Sequence, residues 1–145
     1  TIKKVGSKDA QYKVDFTYQY EIAKNAVSNG VQDYVLVSSA NANYNSNIFY
    51  SRMKGELDDA IQELLFERTI IFRPSVLMGK REERRMGEEI GLIIINALGK
   101  LIPSLKKYRV IKGEEVARAM IAAYKTTTLE NVNIFNLDEI FALIN

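Results

Sequence analysis

Apolar positions along the chain change period several times, and each change marks an element. Residues 1–13 are polar and read as a loop. Phe16, Tyr20, Ala23 and Val27 then recur at helical spacing, predicting a helix with Asp15 as its N-cap that ends near Ser28. Gly30, closing "SNG", suits the position just past a helix end. "DYVLVSS" is a short, uniformly apolar, β-branched run, the pattern of a strand buried on both faces. After the polar loop "ANANYNSN", with Ser46 or Asn47 as the next cap, Phe49, Met53, Leu57, Ile61 and Leu64/Leu65 share a second helical face.

"RTIIFRP" predicts another buried strand, stopped by Pro74. A basic loop, "SVLMGKREERR", leads to a third apolar helix over Met86–Gly99. "YRVI" predicts a short strand, Glu114–Tyr124 a helix, and "NVNIFNLDEIFALIN" a closing strand and helix. Alternation of helices with fully apolar strands predicts an α/β fold, a parallel sheet with helices on both faces. No linker or internal repeat divides it, so residues 1–145 form one structural unit.

Composition narrows the chemistry. The chain of 145 residues is 47% hydrophobic and 26% charged, ordinary for one globular domain. A net charge of +2 is too small to suggest a nucleic-acid partner, despite the cluster Lys80, Arg81, Arg84 and Arg85. There is no cysteine and no histidine, so disulfides, thiolate nucleophiles and the commonest metal ligands are excluded. Acid–base work falls to Tyr, Lys, Asp or Glu. The longest apolar stretch, "IGLIIINALG", is too short to span a bilayer, and the polar start shows no signal peptide. The expectation is therefore a cytoplasmic protein without membrane partners. Its start at Thr1, in what reads as a loop, suggests a fragment.

One segment carries candidate chemistry. Tyr50 and Lys54 are four apart and share a helix face; an ammonium near a phenol favours the phenolate and readies it for proton transfer at a carbonyl or alcohol carbon. The spacing alone selects nothing, because Tyr20/Lys24 and Tyr108/Lys112 repeat it. Only Tyr50/Lys54 opens a helix after a strand ending in Ser38-Ser39, at the carboxyl edge of the sheet where ligands of open α/β folds bind. The alternative is a packed tyrosine and a solvated lysine.

Taken in order, Ser38-Ser39, Tyr50, Lys54-Gly55-Glu56, Phe72-Arg73-Pro74 and Val76-Leu77 resemble the atypical and extended short-chain dehydrogenase/reductase superfamily, nearest the branch of the Tat-interactive-protein oxidoreductases. The resemblance runs from about Val14 to Tyr124. It implies a Rossmann-like fold and NADP (or NAD) as cofactor. Tyr50 would be the proton donor/acceptor, and Lys54 would lower its pKa and bond the nicotinamide ribose. Ser39, or alternatively Ser38, would hold the oxygen of a small carbonyl or alcohol substrate. Leu77 would pass along the nicotinamide, and Arg85 would reach the cofactor or remain a solvated loop charge.

The glycine-rich phosphate-binding turn of that family has no counterpart, since the eight glycines are scattered. The chain is therefore expected to be the C-terminal part of a Rossmann-like domain, its N-terminal βαβ portion missing and its sheet edge exposed. Alone it should bind NADPH weakly or not at all. The helices over Val14–Ser28 and Phe49–Leu65 could pair with a second copy, although packing on the sheet explains their apolar faces equally well. Two functions follow: an NAD(P)-dependent oxidoreductase using Tyr50, Lys54 and Ser39, or a non-catalytic nucleotide-sensing or protein-interaction module on the same scaffold.

Overall fold

A computed structural model describes residues 6–78, 109–126 and 130–145. The sequence-predicted helix over Met86–Gly99 and Arg85 lie outside the described residues. Period-2 alternation in the strand Arg68–Arg73 (β2) organises everything else. Ile70 and Phe72 point to one face and Ile71 to the other, and all three are fully buried. β2 is central in a parallel sheet, between β1 (Asp33–Val37) and β5 (Val132–Asn136). Val37 pairs with Phe72, and Phe72 with Phe135, whose rings stack 5.3 Å apart.

Each face receives helices. Ile70 and Phe72 pack with Val116, Ala119 and Ala123 of the helix Gly113–Lys125 (α4) and with Ile140 and Phe141 of Leu137–Ala142 (α5). Ile71 and Leu36 pack with Ala23 of Tyr18–Ser28 (α2) and with Leu57 and Ile61 of Phe49–Gln62 (α3). The α/β fold with helices on both faces of a parallel sheet is as the periodicity predicts, and it is compatible with a Rossmann-like fold. α4 and α5 begin on glutamates that reach back: Glu115 accepts from the Lys112 amide and Glu139 from the Asn136 amide, each at 2.7 Å. The short strand expected at "YRVI" is Ile111–Lys112 (β4). It pairs with Leu77–Met78 (β3) in a separate two-stranded ladder and does not join the main sheet.

The amino-terminal helix differs from expectation. Ser7, and not Asp15, is the cap: its hydroxyl accepts from the Ala10 amide and starts a helix at Lys8 (α1, Lys8–Tyr12). Residues Lys13–Thr17 widen into a π-turn that runs directly into α2. The reason lies in an aromatic column that begins before the expected start. Tyr12 stacks on Phe16 at 4.8 Å and Phe16 on Tyr20 at 6.0 Å, one ring per turn. Tyr12 also donates to Glu56 at 3.1 Å, tying α1 to α3. The start of α3 departs similarly. Ser46 accepts from the Ile48 amide within a turn, and the helix begins at Phe49 without a side-chain cap. Its apolar stripe ends sooner than the pattern predicts, because Leu65 lies past the last helical residue, 85% exposed, with φ +55°.

Candidate functional site at the carboxyl edge of the sheet

Ser38 and Arg73 sit where β1 and β2 end. Backbone pairing continues past both strands, with the Ser38 amide donating to Phe72 at 2.7 Å and the Ala40 amide to Pro74 at 3.0 Å. This carries Ser38 beside α3 with its side chain buried. Tyr50, Lys54 and Asp58 occupy successive turns of α3, Lys54 and Asp58 buried and Tyr50 at the exposed end of the row.

Asp58 is the centre of the cluster. It is completely buried, and its Oδ2 accepts from Arg73 Nε at 2.8 Å. Burial pushes its carboxyl above the usual carboxylate range, while the Ser38 hydroxyl, the Arg73 guanidinium and the Lys54 ammonium favour its charged form. The Ser38 hydroxyl lies beside the carboxylate, yet neither Ser38 Oγ nor Asp58 Oδ1 completes a well-aligned hydrogen bond among the described residues. Lys54 is 5% exposed, and burial lowers its pKa against opposing pulls from Asp58 and Asp15. Arg73, at the end of its strand, pairs with Asp58 and so belongs to the cluster.

Tyr50 behaves differently from its expected role. Its side chain is 44% exposed, and its phenol is pushed above the usual tyrosine value by desolvation and by Asp15. Lys54 does not lower it. Asp15 stands on the π-turn, where Gln11 Nε2 donates to its Oδ2 at 3.1 Å, and it acts on both Tyr50 and Lys54. The phenol therefore stays protonated at neutral pH in this arrangement.

The other sequence-predicted residues are dispersed. Ser39 is partly buried, and its carbonyl accepts from the Ala42 amide at 2.9 Å, starting the turn of the loop. Leu77 belongs to β3, paired with Ile111 of β4, and is 41% exposed. The structure thus gathers Ser38 and Lys54 around Asp58 and puts Tyr50 one turn away at the surface. Sequence reasoning missed Asp58 and Asp15 as members of the site. The available signal for Asp58 was a charge lying between Leu57 and Ile61 on the buried stripe, four residues after Lys54. Among the described residues no group of three or more His, Cys, Asp or Glu side chains is placed to hold a metal ion, and no helix is long and apolar enough to cross a membrane.

Comparison with known proteins changes the expected identity. A protein of Emericella nidulans named "Protein fmp52, mitochondrial" is 41% identical over 118 residues, covering 81% of this chain and 51% of that protein. Its counterpart in Coccidioides immitis is 42% identical over 119 residues, covering 81% and 48%. The Candida glabrata protein is 37% identical over 148 residues, covering 97% and 63%. This chain is similar to the mitochondrial FMP52 proteins. It spans about half the length of the first of these curated relatives. No family model matches the chain.

These relatives overturn the resemblance to short-chain dehydrogenase/reductases and the oxidoreductase function drawn from it, since none of the names is that of a reductase and no such family model matches. They also overturn the cytoplasmic expectation, because the FMP52 proteins are named as mitochondrial. The structure supplies a physical reason why the motifs misled. Phe72 is core, Arg73 pairs with Asp58, and Pro74 ends a strand. Gly55 lets a loop approach its helix. Those residue types are what this packing requires, whatever the chemistry.

Proposed function

We propose that this chain is the nucleotide-gripping part of a mitochondrial FMP52-like protein, binding NADP(H) or NAD(H) without turning it over. The observation that carries the reading is the pairing of two facts at one place. Lys54 brings positive charge to the carboxyl edge of parallel strands, where open α/β sheets bind ligands, while Arg73 beside it is taken up by Asp58. Beside them the phenol that hydride chemistry would need as an acid–base group is held protonated, with its pKa moved away from neutrality. A lysine at a strand edge suits the ribose and phosphate oxygens of a dinucleotide. A non-catalytic sensing role fits a site whose lysine grips and whose tyrosine does not exchange protons.

Fluorescence titration with NADPH tests this on the longer protein that includes this chain, since the chain alone is expected to bind weakly. Lys54→Met is expected to weaken binding by about 30-fold, roughly 2 kcal/mol for a lost charged hydrogen bond. Tyr50→Phe should leave affinity as it is. The Lys54→Met protein should be at least as heat-stable as the parent, because burial already disfavours the ammonium. Equal NADPH affinity in parent and Lys54→Met would refute the reading. Mitochondrial residence is the accompanying proposal; recovery of the tagged full chain only with cytosolic markers would count against it.

A further inference from the structure

A strand that is apolar towards both faces belongs inside a sheet. Tyr34-Val35-Leu36-Val37 in β1 has that pattern, yet β1 lies at the edge of the described sheet and only Leu36 in it is buried. Backbone directions show what is left over. The Arg68 amide donates to the Gln32 carbonyl at 3.1 Å and the Ser38 amide to the Phe72 carbonyl at 2.7 Å. Pairing alternates along the register, so Tyr34 and Leu36 give their amides and carbonyls to β2 while Asp33, Val35 and Val37 turn theirs outward. Among the described residues no strand pairs with that outer side. Solvent-facing edges are usually guarded by lysine, proline or a bulge. β1 has none of these, and its one charge, Asp33, is held by Arg68 through two bonds of 3.0 Å. The opposite edge differs: β5 carries Asn133 and Asn136, and the outward Asn136 amide is taken by Glu139 at 2.7 Å.

We propose that the open edge of β1 receives an extended strand from the part of the longer FMP52-like protein that lies outside these 145 residues. Two arguments choose this occupant. The matched span is 51% and 50% of two curated relatives, so as much sequence again is there to supply a strand. An edge of five residues is also too short to hold a separate partner, since a stable interface buries about 1,200–2,000 Å². A segment tethered in the same polypeptide is held at high effective concentration and needs far less. The occupant's character follows from its place. Its amides and carbonyls bond those of Asp33, Val35 and Val37, and its side chains are apolar towards both faces. There they extend the core that Val35 and Val37 join on one face and the core that Tyr34, stacked on Phe66 at 4.9 Å, joins on the other. The inference is independent of the dinucleotide reading.

Amide hydrogen exchange in the longer protein, followed residue by residue by NMR, tests it. Val35 and Val37 should exchange as slowly as Leu36, whose amide β2 takes, and at least about 100-fold more slowly than an unpaired edge amide. Nuclear Overhauser contacts from their amide protons should lead across the edge to residues outside the 145, within the same molecule. Fast exchange at Val35 and Val37 overturns the proposal, whatever Leu36 does. Contacts that lead back into residues 1–145 of the same molecule overturn it too. So do contacts seen only between differently labelled molecules, which would put a second copy on the edge.

Discussion

Alanine at position 55 is expected to destabilise the fold by about 3 kcal/mol, near the upper end for overpacking, and to lower the melting temperature by roughly 10 °C. In an ordinary helix interior the same change would stabilise by about 1 kcal/mol, because glycine is a poor helix former. The sign reverses because the loop after β1 lies directly on α3 at this point. A Cβ on Gly55 would stand 2.3 Å from the Tyr44 amide nitrogen, 2.4 Å from the Asn43 carbonyl carbon and 2.6 Å from the Asn43 nitrogen. All three are backbone atoms that cannot swing away as a side chain would. The loop is also pinned on both sides. The Asn43 amide donates to the Ser51 carbonyl at 3.0 Å, and Arg52 Nη1 donates to the Ser46 carbonyl at 2.9 Å. Making room for one methyl group lifts these contacts together. Thermal unfolding followed by circular dichroism measures the effect, and a Gly55→Ala protein melting at or above the parent would show that the loop does not rest on the helix.

Asp58→Ala is expected to cost about 2–3 kcal/mol, because it strands Arg73 next to Lys54. The figure sits below that for a fully buried pair since the Arg73 side chain is 21% exposed. Replacing both partners, as Asp58→Leu/Arg73→Met, should bring stability back to within about 1 kcal/mol of the parent, because no charge remains buried alone. The pH dependence has a definite sign. The folded state holds the Asp58 proton more tightly than the unfolded chain does. Its contribution to stability is therefore full below the usual carboxylate range and is lost as pH rises through the raised value. The advantage of the double variant over the parent should grow from pH 4 to pH 7 in urea unfolding. A double variant as unstable as Asp58→Ala would mean that the pair's geometry, and not its charge, is what the fold requires.

How much of this was legible in the chain depends on the range of the interaction. β1, β2 and β5 were legible because apolar runs bounded by polar turns need only local pattern. α2, α3 and α4 were legible because their inner faces repeat at helical spacing. The helix start at Ser7 was not, since a polar first turn looks like a loop until Tyr12 is known to stack on Phe16 and bond Glu56, 44 residues away. The site was half legible. Ser38, Lys54 and Tyr50 were singled out, but the expected coupling of Lys54 to the Tyr50 phenol requires that no acid face both, and Asp15 does. Asp58 looked like any helical carboxylate because its partner Arg73 lies on another element, brought near only when β2 pairs with β1. Gly55 was visible as part of a motif, yet its reason, a backbone lying against it, exists only in three dimensions.

The π-turn at Lys13–Thr17 carries one last implication, for inheritance. It stores extra chain inside an otherwise continuous helix, so deleting a single codon there would restore ordinary pitch without breaking the helix. The widened turn absorbs that residue, so the helix before the deletion would keep close to its orientation relative to the helix after it. Tyr12 and Phe16 would then stand three residues apart, still neighbours on one helical face. In this segment the number of residues is under looser constraint than in the regular turns that flank it.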